Sequence, residues 1–180
     1  MRIVFVRHGE SEGNVIHEIN DNPARIVNLT EKGRAQATAT AEALRDRSFA
    51  HAYASEFPRA RQTAEIILRR AACALSIDAR LNERRSGMDE LPVHVFNDLV
   101  RTDRLRTKPD RGESFLEQME RMRSFLDEIA ARHPQGLVLA VSHQDPILAA
   151  MALTVDDPAA VAAGELANCE RIELSWPVRC

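Results

Sequence analysis

Aromatic side chains are scarce in this chain. Its 180 residues include one Trp, one Tyr and six Phe, too few to build a platform on which nucleic-acid bases could stack in succession. Positive charge is not in surplus either. There are 24 Lys and Arg against 27 Asp and Glu, a formal net charge of -3, so no overall basic field points to a nucleic-acid partner. Three cysteines, Cys73, Cys169 and Cys180, form an odd, widely spaced set without a Cys-x-x-Cys pair. That argues against a disulfide framework and a zinc site and fits a reducing compartment. Long apolar runs are missing as well. None approaches the length of a membrane span, and the opening run over residues 3–6 is too short for a secretory core and is ended by Arg7. The expected location is the cytoplasm, with neither membrane nor nucleic acid as partner.

What remains is ordinary for a globular protein: 44% hydrophobic and 28% charged residues, in a length that suits one domain with a sizeable core. Residues 2–6 read as a fully buried strand. Residues 9–28 are polar, with Gly13, Asn20, Asp21, Asn22 and Pro23 as breakers. Thr30 is a suitable N-cap for an alanine-rich helix that should fade near Arg47 and Ser48. A short strand is expected at 51–55, a helix at 60–72 with Pro58 in its first turn, and a strand at 75–81. Residues 82–112 are irregular and charge-rich, with a short helix near 91–100. Phe115, Met119, Met122, Phe125, Leu126 and Ile129 mark the buried stripe of a helix over 114–133. A second buried strand follows at 137–141, then a helix at 146–153 and an alternating, edge-type strand at 171–176. Strands alternating with helices predict an α/β fold in three layers, a mostly parallel central sheet with helices on both faces.

Both strongly buried strands end in histidine. The first runs into Arg7-His8-Gly9-Glu10-Ser11, the second into Ser142-His143. In open α/β sheets ligands gather at the carboxyl ends of strands. An arginine beside a histidine at such an edge suits phosphate, because guanidinium grips phosphate oxygens bidentately and an imidazole can attack phosphorus. The six histidines, at 8, 17, 51, 94, 133 and 143, include no close helical pair of ligand type, so no metal or other cofactor is expected.

Six motifs in order resemble the histidine phosphatase superfamily, the phosphoglycerate mutase-like family. They are Arg7-His8-Gly9-Glu10-Ser11 with Asn14, Leu29-Thr30-Glu31-Lys32-Gly33 with Gln36, Arg59-Ala60 with Gln62-Thr63, Leu81-Asn82-Glu83-Arg84, Gly112-Glu113-Ser114 and Val141-Ser142-His143. The resemblance spans most of the chain and implies one domain over 1–180 with a short cap insertion around 84–111. It implies that His8 is the nucleophile, its proton-bearing nitrogen fixed by the Gly9 carbonyl. Arg7, Arg59 and His143 would hold the phosphoryl group. Asn14, the backbone at Gln144 and Arg84 would add substrate contacts. Glu83 would shuttle the proton, with Asp89, Glu90 and Asp145 as substitutes. Glu113 is expected to cap a helix or pair with an arginine.

The chain departs from the family pattern in places. Gln144 follows the second histidine where glycine is common, and Glu18 lies where an arginine is frequent. The cap holds seven Lys or Arg against five Asp or Glu, an excess that could favour an anionic substrate or simply be solvated surface. The reading that fits best is a metal-independent phosphatase of small phosphate monoesters, working through a phosphohistidine. A small cap that admits water favours hydrolysis over the alternatives: phosphoglycerate mutase-type transfer, a protein phosphohistidine phosphatase, or a phosphate-binding module without catalysis. No feature of the sequence sets an oligomeric state.

Overall fold

A computed structural model describes residues 1–69, 71 and 73–177. The expected Ala72 end of one helix, and Cys180, lie outside these residues. The elements in chain order are β1 (Arg2–Arg7), α1 (Glu12–Val15), α2 (Glu31–Ala43), β2 (His51–Ala54), α3 (Pro58–Leu68), β3 (Leu75–Ile77), α4 (Val93–Val100), α5 (Phe115–Arg132), β4 (Leu137–Ser142), α6 (Gln144–Ala152), α7 (Pro158–Ala162) and β5 (Arg171–Ser175). The strands form one sheet in the order β3-β2-β4-β1-β5. All neighbours are parallel except β5, which runs antiparallel along the edge of β1.

The strand sequences explain the three layers. Alternate residues point to opposite faces. Ile3, Phe5, Val138 and Ala140 pack with Phe115, Met122, Phe125 and Ile129 of α5 and Ile147 of α6. Val4, Val6, Leu139 and Val141 pack with Ala41 of α2 and Ala60, Ala64 and Ile67 of α3. Both faces of β1 and β4 are therefore covered, which is why they read as unbroken apolar runs. β5 has one covered face and alternates accordingly.

Helix ends follow local chemistry. Thr30 Oγ1 accepts from Gly33 N at 3.0 Å and starts α2. Ser114 and Glu117 form a capping box that starts α5: Glu117 N donates to Ser114 Oγ at 3.1 Å, and Ser114 N donates to Glu117 Oε2 at 2.8 Å. Three boundaries differ from those expected, and two short helices were not expected. The strand expected over 75–81 stops at Ile77, because Asp78 Oδ1 accepts from Arg80 N at 2.9 Å and turns the chain into a 3-10 turn, Ala79–Leu81. α6 begins two residues before Pro146, which sits in the first turn where a missing N–H breaks no helical hydrogen bond. α2 ends at Ala43, short of the expected Arg47. The single-turn helices α1 and α7 carry too few residues to show a helical period.

Topology opens the crevice. The chain leaves β1 for α2 on one face and leaves β4 for α6 on the other, so the two connections diverge between adjacent strands. The β1 end is held against α2 by two glycines in close backbone contact. A Cβ on Gly33 would stand 2.0 Å from the Glu10 carbonyl oxygen, and one on Gly9 would stand 2.5 Å from the Gly33 oxygen. Gly33→Ala should therefore displace the loop that follows β1 and cost about 1–3 kcal/mol. A lowered denaturation midpoint in urea is the expected result, and an unchanged midpoint contradicts the packing described.

Candidate active site

The β1–β4 register pairs Arg7 with Ser142. His8 and His143 each follow directly, so their imidazoles stand side by side with ring centroids 5.0 Å apart. His8 N donates to Ser142 O at 2.9 Å and extends the ladder by one residue. Asn168 Nδ2 donates to the His8 carbonyl at 3.1 Å, and Cys169 N to the Arg7 carbonyl at 3.0 Å. The loop before β5 thus fixes the β1 end from its other side.

The protonation of His8 follows from its neighbours. Its Nδ1 lies 2.8 Å from the Gly9 carbonyl, which can only accept. Its Nε2 lies 3.2 Å from Arg59 Nε, which can only donate. Nδ1 therefore carries the proton and Nε2 presents its lone pair. Burial, with Arg59 and Arg7 nearby, holds the ring well below the usual imidazole range, so His8 is neutral.

Arg59 comes from the first turn of α3, just after Pro58. Besides reaching His8, its Nη1 donates to Asn20 Oδ1 and its Nη2 to Asn20 O at 3.2 Å. Its guanidinium lies 4.4 Å from the centroid of the Phe57 ring. Burial lowers its pKa to about 10, which leaves it charged at neutral pH. Arg7 donates to Gln144 Oε1 at 3.3 Å and to Leu166 O. Gln144 Oε1 also accepts from Leu166 N at 3.3 Å, so this side chain braces Arg7.

His143 is fully buried one layer behind the cleft surface. Its Nε2 is 2.7 Å from Ser55 Oγ, just after β2, and its Nδ1 has no hydrogen-bond partner among the described residues. Ser55 Oγ already accepts from Phe57 N at 3.3 Å. Donating its own proton to His143 Nε2 satisfies the serine and leaves an Nδ1–H to offer an acceptor. Burial, then Arg59 and His8, hold this ring well below the usual range too.

A cleft of about 290 Å³ opens over these groups. Of the carboxyls considered for proton transfer, only Glu83 and Asp145 line it. Asp89 is engaged with Arg25, 3.1 Å away, and Glu90 is exposed. Glu83 keeps partial exposure to the cleft, and its Oε1 accepts from Arg84 N at 2.9 Å. Burial, reinforced by the Asp145 charge, raises its pKa to about 7 against the opposing pull of Arg59 and Arg7. A carboxyl poised there can both give and take a proton near neutrality. Asp145 is held by Arg104 Nη2 at 3.2 Å and Arg84 Nη1 at 3.8 Å.

The other candidates have definite places. Asn14 Oδ1 accepts from Ser11 N at 3.0 Å inside the α1 capping box, and its side chain lines the cleft. Arg84 borders the cleft but is 3% exposed, with its nitrogens on the carbonyls of Glu113, Thr107 and Arg104. Glu113 pairs with Arg121 and accepts from Arg85 N at 3.1 Å. Ser55, Asn20 and Asn168 join the site without having been expected there. Ser55 ends the expected strand over 51–55, but its partner His143 is 88 residues away. Nothing in the sequence marks Asn20 or Asn168. Among the described residues no group of three or more His, Cys, Asp or Glu could hold a metal ion, and no helix is long and apolar enough to cross a membrane.

The buried histidines give a direct test. Nitrogen-15 NMR should show both rings neutral at about pH 6, with His8 in the Nδ1–H form. A titration midpoint at or above the ordinary imidazole value for either ring would contradict the burial described.

Comparison with known proteins agrees with the fold. A 32% identical relative from Salmonella typhimurium, an adenosylcobalamin/alpha-ribazole phosphatase, aligns over 170 residues, 89% of this chain and 82% of its own length. A protein of Erwinia tasmaniensis named "Probable phosphoglycerate mutase GpmB" is 32% identical over 155 residues, 79% of this chain and 69% of its own. Among solved structures, a mycobacterial glucosyl-3-phosphoglycerate phosphatase complexed with VO3 superposes with a TM-score of 0.84 at 28% identity, covering 97% of this chain and 90% of that one. Bacillus stearothermophilus YhfR gives 0.84 at 26% identity with the same coverage. The profile of the histidine phosphatase superfamily, branch 1, matches residues 3–177, and the chain belongs to that superfamily.

Proposed function

We propose that the protein is a metal-independent phosphatase that hydrolyses small phosphate monoesters through a phosphohistidine on His8. The observation that carries this reading is the state of His8: a neutral imidazole, anchored through Nδ1 to Gly9 O, with the Nε2 lone pair turned toward a buried arginine at the cleft.

In the first step the Nε2 lone pair attacks phosphorus while the bond from phosphorus to the ester oxygen breaks. Glu83, protonated at its raised pKa, gives its proton to the departing alkoxide. Arg59 Nε–H, which points at the Nε2 lone pair, turns to the phosphoryl oxygens. Arg7 and the unpartnered His143 Nδ1–H join it, and Asn14 and the Gln144 backbone add donors. In the second step the Glu83 carboxylate takes a proton from water. The resulting hydroxide oxygen bonds to phosphorus, the nitrogen–phosphorus bond breaks, and the electron pair returns to Nε2.

A phosphatase for small monoesters fits better than the alternatives. A phosphoramidate leaves with little acid help, so a carboxyl tuned to about 7 has most use against an oxygen leaving group. A binding module would have no need of that proton donor. The phosphoglycerate mutase name borne by several relatives is the second reading, and it shares the first chemical step.

The deciding experiment is turnover of p-nitrophenyl phosphate in EDTA. Wild type should hydrolyse it, and His8→Ala should fall to the uncatalysed level while keeping its circular dichroism spectrum. Retention of activity within a few-fold by the variant would remove His8 as nucleophile. For alkyl phosphates, kcat/KM should decline as pH rises through about 7, because Glu83 loses the proton it must donate. Glu83→Gln should abolish that decline and lower alkyl ester turnover about 10²–10⁴-fold. It should slow phosphorylation by aryl esters far less, since phenolates leave without a proton. Equal loss of the phosphorylation rate on both ester types would move the acid role elsewhere.

A further inference from the structure

Gln36 and Thr63 stand behind the cleft rather than on its lining, yet both end on the backbone beside the nucleophile. Gln36 belongs to α2 and is half-buried. Thr63 belongs to α3 and is fully buried. Each reaches one of the two peptide groups that flank the Gly9 Cα. On one side, Gly9 N donates to Thr63 Oγ1 at 3.1 Å. Thr63 Oγ1 gives its own proton to Arg59 O at 2.7 Å, which leaves a lone pair for Gly9. On the other side, Glu10 N donates to Gln36 Oε1 at 2.8 Å.

The second of these bonds bears on the nucleophile. Glu10 N and Gly9 O belong to one peptide group. That group is planar and trans, so its N–H and C=O point in opposite directions. Holding the N–H on Gln36 aims the carbonyl away from α2, where it accepts from His8 Nδ1, 2.8 Å away. No side chain at residue 9 can steer this peptide, because a Cβ there would stand 2.5 Å from Gly33 O. Glycine leaves the torsions about its Cα soft, and the bonds to Gln36 and Thr63 supply the missing restraint. If the peptide turned over, Glu10 N–H would face His8 Nδ1 and two donors would meet. The ring proton would then belong on Nε2, the atom that attacks phosphorus, and would face Arg59 Nε–H, 3.2 Å away.

We infer that Gln36, with Thr63, is a positioning residue of the reaction: it holds the Gly9 carbonyl against His8 Nδ1 and so keeps the Nε2 lone pair free for phosphorus. Gln36 acts through the Gly9–Glu10 peptide rather than on substrate. Thr63 adds a second link. Its one hydroxyl joins the Gly9 backbone to the turn of α3 that carries Arg59, so the nucleophile and the arginine beside it share one frame. The effect on turnover rests on the proposed phosphohistidine chemistry. The effect on the His8 proton does not.

The test compares Gln36→Met, which keeps the length of the side chain and removes the acceptor, with Gln36→Glu, which keeps an acceptor. Nitrogen-15 NMR of the ligand-free protein reads the His8 Nδ1–H directly. In Gln36→Met that proton should move upfield and exchange with water at least about tenfold faster, as its hydrogen bond loosens. In Gln36→Glu it should stay as in the wild type. Single-turnover phosphorylation by p-nitrophenyl phosphate should slow about tenfold in Gln36→Met, while affinity for inorganic phosphate stays within about threefold, because Arg7, Arg59 and His143 are untouched. Gln36→Glu should recover the rate to within about threefold of the wild type. Thr63→Val should slow phosphorylation in the same way, and Thr63→Ser, which keeps the hydroxyl, should restore it. An unmoved His8 proton or an unchanged phosphorylation rate in Gln36→Met would overturn the inference, whatever happens to the denaturation midpoint. Equal losses in Gln36→Met and Gln36→Glu would overturn it too. If the wild type hydrolyses no ester, the phosphatase reading fails, and the His8 proton alone decides this inference.

Discussion

The site depends on the parallel pairing of β1 with β4. The register that sets Arg7 against Ser142 makes the next residues, His8 and His143, neighbours at one sheet edge. A slip of one residue would turn every side chain of a strand to the other face. It would expose Ile3 and Phe5 to the wrong helix layer and carry His8 away from Arg59. Packing on both faces therefore fixes the relative placement of the two histidines. The divergence of the chain after β1 and β4, to opposite faces, leaves room above them.

Burial then sets the chemistry. The same desolvation keeps both histidines neutral, lowers the Arg59 pKa to about 10, where the guanidinium is still charged at neutral pH, and lifts Glu83 to about 7. Each shift is in the direction that disfavours the charged form. The outcome is an unprotonated nucleophile, fixed cations and a carboxyl that holds its proton near neutrality, in one cleft. Asp145 has a double part here. Its charge helps raise the Glu83 pKa, and its two oxygens occupy Arg84 and Arg104.

The features that were legible in the sequence are those written in local pattern. The apolar runs before His8 and His143 gave two central strands, and the Phe115 to Ile129 stripe gave α5, as found. Arg7, His8, Arg59, Glu83 and Asn14 could be named as site residues through family resemblance, and the fold brings them to one cleft. Less was legible where the determining contact is remote. The bond between Ser55 and His143 joins two strand ends, and Asn20 meets Arg59 only because the loop after α1 folds back over α3. The engagement of Arg84 by three backbone carbonyls depends on the path of residues 104–113, which no periodicity encodes. The early end of β3 turned on one side-chain contact, from Asp78 to Arg80.

The central claim is covalent transfer to His8. The most direct measurement is rapid acid-free quenching of the enzyme turning over p-nitrophenyl phosphate, followed by peptide mass spectrometry. The account requires one phosphoryl group on His8, stable in base and lost in mild acid, as a phosphoramidate behaves. Phosphate on a serine, or none on His8 during steady turnover with slowed dephosphorylation, would contradict it.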